Sequence, residues 1–87
     1  MSEPTPVWHI YIVRCADASL YTGIAKDVAA RIGGHNAGGG AKYTRSRLPV
    51  ELVYAEEADD RSAAQRREAA IKKLKANDKR ALITAAR

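Results

Sequence analysis

The stretch VWHIYIVRCADASLYTGI, residues 7–24, decides how this chain folds. Its first seven residues are mostly β-branched or aromatic, small and polar residues from Cys15 to Ser19 interrupt them, and a second run follows from Leu20 to Ile24. That is the pattern of a β-hairpin. Beyond it, the carboxylate of Asp27 can accept from the free amides that open VAARI, which predicts a helix over 28–36 with Gly38 as its stop. Gly33 and Gly34 weaken the second half of that helix by about 1 kcal/mol each relative to alanine. Next, AGGGAKYTRSR at 37–47 has no periodicity and reads as a loop. LPVELVY at 48–54 reads as a third strand, and Pro49 near its start points to an edge. Ser62 and Gln65 have capping-box spacing, with Asp59 and Asp60 as competing caps, so a helix is expected through about Lys75. Asn77 or Asp78 then caps a last helix over 79–86. The predicted class is α+β: a small three-stranded antiparallel sheet flanked by helices in the order β-β-α-β-α-α, one domain over 1–87 with its core at 7–84.

The 87 residues carry 15 Lys and Arg against 10 Asp and Glu, a formal charge of +5, which excludes a multidomain machine. Of the 40 hydrophobic residues 17 are alanine, so the core rests on 16 Val, Ile and Leu and a few aromatics. A lone Cys15 forms no internal disulfide, and no Cys/His spacing suits zinc, so a reduced, cytoplasmic protein is expected. Glu3 and two prolines at the N-terminus, with no apolar run of about 18 residues anywhere, argue against export and membrane insertion. Residues 1–60 carry a net charge of −2 and residues 61–87 one of +7. Lys26, Arg31, Lys42, Arg45 and Arg47 form a second basic zone, and Glu51, Glu56, Glu57, Asp59 and Asp60 separate the two. Such zones suit either a polyanion or a plain solvated helix face.

A few residues are costly unless they have work to do. On a 3.6-residue wheel Ala64, Ile71 and Leu74 mark the buried stripe of the 60–75 helix, and Glu68 falls on that face. An inward carboxylate needs a cation, a metal or a cleft floor, unless it sits on the rim paired with Arg67 or Lys72. Tyr11 and Tyr21 lie on paired strands, either as core aromatics or with both hydroxyls aimed at one region. Gly23 removes a side chain where something approaches closely, or marks a bulge. Arg31 and His35 are four apart on one helical face and could bind a phosphate and share a proton; alternatively they are a surface cation and a histidine suited to a helix C-terminus.

Together these residues resemble the GIY-YIG nuclease family, in its small single-domain bacterial branch. Ile10-Tyr11-Ile12 stands where the family has its first motif and Tyr21-Thr22-Gly23 where it has its second. The blocks RCADASLYTGI, ARIGGHNAGGGAKYTR, PVELVY and RREAAIKKLK follow in the family's order. The resemblance implies a site of Tyr11, Tyr21, Arg31, His35 and Glu68, with Gly23 admitting the substrate and Tyr43 nearby. It implies metal-assisted hydrolysis of a DNA phosphodiester to 5′-phosphate and 3′-hydroxyl ends. Glu68 would hold one Mg²⁺ or Mn²⁺, Arg31 would neutralise the phosphate, and Tyr11 would act as general base, its proton eased off by a nearby cation or by His35. Departures from the branch are Ala18 at a turn place where glycine is common, Gly33-Gly34 in the helix, Thr22 for isoleucine, Ile24 where some relatives have lysine, and Arg80 where some have asparagine.

No attached DNA-grasping domain is seen, so the strand is expected to run over the domain's own surface. Lys26, Lys42, Tyr43, Arg45 and Arg47, with a helix face bearing Arg66, Lys72, Lys73 and Lys75, suit backbone tracking and base stacking. Single-stranded or flapped DNA is the favoured partner, with RNA left open. The rivals are a non-catalytic nucleic-acid-binding module and a basic protein that docks on ribosomes.

Overall fold

The computed structural model describes residues 7–86; Glu3 and its neighbouring prolines, on which the reading against export leans, lie outside the described residues. The hairpin forms as expected, with β1 at Trp8–Arg14 and β2 at Leu20–Ala25. A third strand, β3 at Glu51–Ala58, pairs with the other side of β1, so the antiparallel sheet has the order β2-β1-β3. Strand alternation sends Ile10 and Ile12 to one face and Tyr11 and Val13 to the other, and all four are essentially buried.

Helix α1, Val28–Asn36, lays Val28 and Ile32 on the Tyr11 and Val13 face together with Leu48 and Val50. Helices α3, Arg61–Lys72, and α4, Ala76–Ala85, cover the opposite face, where Ala64, Ile71, Leu82 and Ile83 meet Ile10 and Ile12. None of the helices among the described residues is long and apolar enough to cross a membrane.

Several boundaries move for identifiable reasons. Residues 37–47 are not all loop: Lys42–Arg45 winds one turn, α2, with the Thr44 and Arg45 amides bonded to the Ala41 carbonyl. Strand β3 starts after Pro49 and runs past Tyr54 through Glu56 and Glu57. An edge strand tolerates these acids, and Glu56 accepts from the Tyr54 hydroxyl at 2.7 Å and from Arg67 Nε at 3.0 Å. Asp60 wins the competition to cap α3, accepting from the Ala63 amide at 2.7 Å, so Ser62 lies inside the helix. That helix ends at Lys72, which leaves Leu74 half-buried in the connection. Helix α4 begins at Ala76, and Asn77 and Asp78 sit in its first turn rather than capping it. At the hairpin turn Ala18 takes φ = +68°, the left-handed region that explains why glycine is common at this place in the branch.

Candidate active site

Tyr11 is the pivot, and its place follows from its neighbours on the sheet. It lies opposite Gly23 on β2 and Ala55 on β3, two small residues that leave room for the ring. A Cβ at position 23 would come within 2.5 Å of the Tyr11 hydroxyl oxygen, so the close approach of this phenol requires Gly23. Tyr11 is 1% exposed and His35, in the last turn of α1, is 0% exposed. Their polar ends meet, with the Tyr11 hydroxyl 2.9 Å from His35 Nε2.

The other ring nitrogen settles which way the proton points. His35 Nδ1 lies 2.9 Å from Thr44 Oγ1, and that hydroxyl donates its only proton to the Ala41 carbonyl at 2.9 Å. Thr44 must therefore accept from Nδ1–H, which leaves Nε2 as the acceptor of the Tyr11 proton. The bonds run in one direction, from Tyr11 to His35 to Thr44 to the backbone. Thr44 is completely buried. Gly40 is required beside it, because a Cβ there would overlap the imidazole.

The segment that carries Thr44 is pinned at both ends. Asn36 donates to the Val50 carbonyl at 3.1 Å and accepts from the Val50 amide at 2.8 Å, which closes the 36–50 loop. Arg47 donates to Asp17 of the hairpin turn at 3.0 Å and to the Tyr43 carbonyl at 2.8 Å, and lies 3.9 Å from the Tyr43 ring centroid. This engagement removes Arg47 from the set of free cations expected to track a strand.

Tyr21 stands beside this centre, its ring 5.7 Å from His35 and stacked 5.9 Å from Tyr43. Lys72 Nζ lies 5.9 Å from the Tyr21 ring and 3.5 Å from Glu68 Oε2. Glu68 thus takes the rim position, its side chain 23% exposed, and neither deep burial nor full solvation applies to it. Burial holds the Tyr11 phenol above its usual range; Arg31 opposes that rise, while Tyr21 and Glu68 add to it. The expected lowering of this phenol by a nearby cation is therefore outweighed by desolvation. Burial, and then Arg31, lower the affinity of His35 for a second proton, so its neutral form dominates near neutral pH. Cationic stabilisation by the helix terminus is not its role.

The structure brings Tyr11, Tyr21, Arg31, His35 and Glu68 into one electrostatic neighbourhood, with Tyr43 and Lys72 at its border. Lys42 and Arg45 are exposed on α2, Arg45 donating to the Gly40 carbonyl at 3.3 Å. Arg66, Lys72 and Lys73 do not share a face. At about 100° per residue, Arg66 and Lys73 point away from the core while Lys72 turns with Glu68 toward β2. Arg66 donates to Ser62 at 3.0 Å, and Lys75 lies beyond α3 at the start of α4. Thr44 and Gly40 are the site residues that the sequence reading missed.

Glu68 fits a hard divalent ion by the chemistry of its donors. One partly exposed carboxylate leaves most of a coordination shell to water and phosphate oxygens, which small cations retain readily. No group of three or more His, Cys, Asp or Glu side chains among the described residues could enclose an ion.

The architecture is that of a small α+β domain with a tyrosine–histidine centre at the edge of a hairpin. The family described as the GIY-YIG catalytic domain matches residues 7–81, and the chain belongs to that family. Such domains are typically nucleases that act on nucleic acid with divalent metals. A UPF0213 protein of Desulfotalea psychrophila is 56% identical over 92% of this chain and 74% of its own length. One from Halobacterium salinarum is 50% identical over 86% of this chain and 97% of its own. The solution NMR structure of a UPF0213 protein from Bacillus halodurans, 39% identical, superposes with a TM-score of 0.59 over 91% of this chain and 84% of that one.

Proposed function

We propose that this domain is a metal-dependent endonuclease that cuts single-stranded or flapped DNA, leaving 5′-phosphate and 3′-hydroxyl ends. The observation that carries the proposal is the directed chain from Tyr11 to His35 to Thr44, a sealed route for one proton beside Arg31 and Glu68. Water attacks the phosphorus, an O–P bond forms and the P–O3′ bond breaks. As the water loses its proton to the Tyr11 oxygen, the phenolic proton moves to His35 Nε2. That coupling lets a neutral, buried phenol act as a base without first ionising, and Thr44 continues to accept from Nδ1–H of the imidazolium. Arg31 offsets the charge that builds on the phosphate and, by opposing the imidazolium, favours return of the proton. Tyr21 orients the phosphate or the water. Glu68 would hold a Mg²⁺ or Mn²⁺ ion, which would supply charge stabilisation at the leaving group; the departing 3′ oxygen takes a proton from solvent.

The test is a digest of end-labelled single-stranded, flapped and duplex DNA with each metal, followed by end-group analysis, using the wild type and Glu68→Gln. Metal-dependent cuts with the predicted ends that disappear in the variant support the reading. A second reading, binding without turnover, is favoured by the Glu68–Lys72 ion pair, which competes for the metal-binding carboxylate. It predicts no cleavage with either ion and strand binding indifferent to Glu68→Gln.

A further inference from the structure

A cleft of about 380 Å³ lies at the end of the hairpin, away from Tyr43, and is lined by Trp8, Ile24, Ala25, Lys26, Arg31 and Arg61. Its volume is within the range of small-ligand sites. Three of its six residues are cations, and none of them has a carboxylate within ion-pair distance among the described residues. Lys26 Nζ lies 5.4 Å from the Trp8 ring centroid and Arg61 Cζ 5.7 Å from it. The indole packs on the Ile10 and Ile12 core yet remains partly exposed.

The cleft opens on the chemistry because Arg31 belongs to both: it lines this space and acts on Tyr11 and His35. Helix α3 connects the two ends. Arg61, Glu68 and Lys72 fall along one stripe of it, at positions i, i+7 and i+11. Arg61 meets Trp8 at the Lys26 end of β2 and Lys72 meets Tyr21 at the other end. The helix therefore lies antiparallel to β2, with aromatic and cationic side chains at both ends and the carboxylate between.

We propose that the Trp8 cleft holds the nucleotide adjoining the scissile phosphate, with its base on the partly exposed indole and its phosphate between Lys26 and Arg61. The flexible stems of the two cations let them move from the ring to the phosphate, which uncovers the indole for stacking. The inference rests on the nuclease reading only for what lies at Arg31.

Trp8 is the sole tryptophan, so its emission reports on this cleft alone. The experiment titrates Glu68→Gln protein with a short oligothymidylate, recording tryptophan fluorescence and the anisotropy of a labelled strand together. The expected result is quenching that tracks binding, with Trp8→Leu weakening affinity by about 5- to 150-fold and Trp8→Phe by less, since phenylalanine still stacks. Arg61→Ala, a surface change that leaves the core intact, should lower the slope of log affinity against log salt by about 0.7. Binding with unchanged emission, an unaltered salt slope in Arg61→Ala, or no binding of the strand would each overturn the assignment. Wild-type cleavage with a silent Trp8 sinks the cleft and leaves the nuclease standing. Quenching with no cleavage in any metal does the reverse.

Discussion

On one face of β1, Ile10 and Ile12 pack against Ala64 and Ile71; on the other, one residue away, Tyr11 meets His35 and through it Thr44. Both sets are buried to the same degree. The first needs only volume, whereas the second takes three polar side chains out of water and gives the hydroxyl, both ring nitrogens and the threonine oxygen a partner. A buried polar chain with no loose end needs more residues in register than an apolar contact of equal size, and packing alone does not call for one. The comparison therefore separates what holds the domain together from what the proposed chemistry would use, and substitutions on the two faces should have different effects.

The largest contrast concerns activity. Tyr11→Phe keeps the ring in its place between Gly23 and Ala55 and removes only the proton route. Cleavage should fall by about 10²- to 10⁴-fold, while leaving His35 Nε2 buried without its donor costs only about 1–3 kcal/mol of stability. A variant that still cuts at the wild-type rate would show that the phenol is only a core aromatic. Ile71→Ala on the other face should do the opposite. Emptying that site is expected to cost about 2–5 kcal/mol in a urea titration, with the rate per folded molecule preserved.

Thr44→Val sharpens the comparison within the polar face, since it keeps the shape and deletes both bonds. His35 Nδ1–H is then buried without an acceptor, at a cost of about 1–3 kcal/mol, and the imidazole loses the bond that fixes its tautomer. Cleavage should drop and Thr44→Ser should restore it. A valine variant as active and as stable as the wild type would remove the relay from the mechanism.

The pH dependence of stability follows from the same burial. His35 has a lower proton affinity folded than unfolded, so between those two values the unfolded state binds more protons and stability rises with pH. The contribution is complete above the ordinary histidine pKa of 6.5 and fades as pH falls from there through the folded value. His35→Gln should flatten that slope in denaturation midpoints measured across the window. An unchanged slope would assign it to other groups.

These tests also mark what could be read from the chain. The hairpin and α1 were legible because strand patterning and the Asp27 cap are local signals. Tyr11, Tyr21, Arg31, His35 and Glu68 stand out in the sequence as candidates because each is anomalous where it stands and because the chain resembles a family. Thr44 and Gly40 do not. In the sequence they sit among glycines and cations that look like a charged loop, and their roles arise only when Asn36 and Arg47 pin that loop over His35. Proximity in sequence suggests one face for Arg66, Lys72 and Lys73, but the helical turn sets Lys72 apart from the other two.

The smallest effect tests the apolar face for a polar group that lacks a partner. Thr22 lies opposite Ile12 on β2 and so shares its face; it is 3% exposed, and its hydroxyl has no hydrogen-bond partner among the described residues. It stands where the family motif has isoleucine, so the position asks for apolar volume and receives a desolvated oxygen instead. Thr22→Val keeps the β-branched shape and exchanges that oxygen for a methyl group, which should raise stability by about 1 kcal/mol and leave the cleavage rate alone. The gain should appear as a higher urea midpoint with an unchanged slope. If the substitution destabilises instead, the hydroxyl has a use on that face, and the division between a packing face and a chemical face is less clean than the contacts of Tyr11 and Ile12 imply.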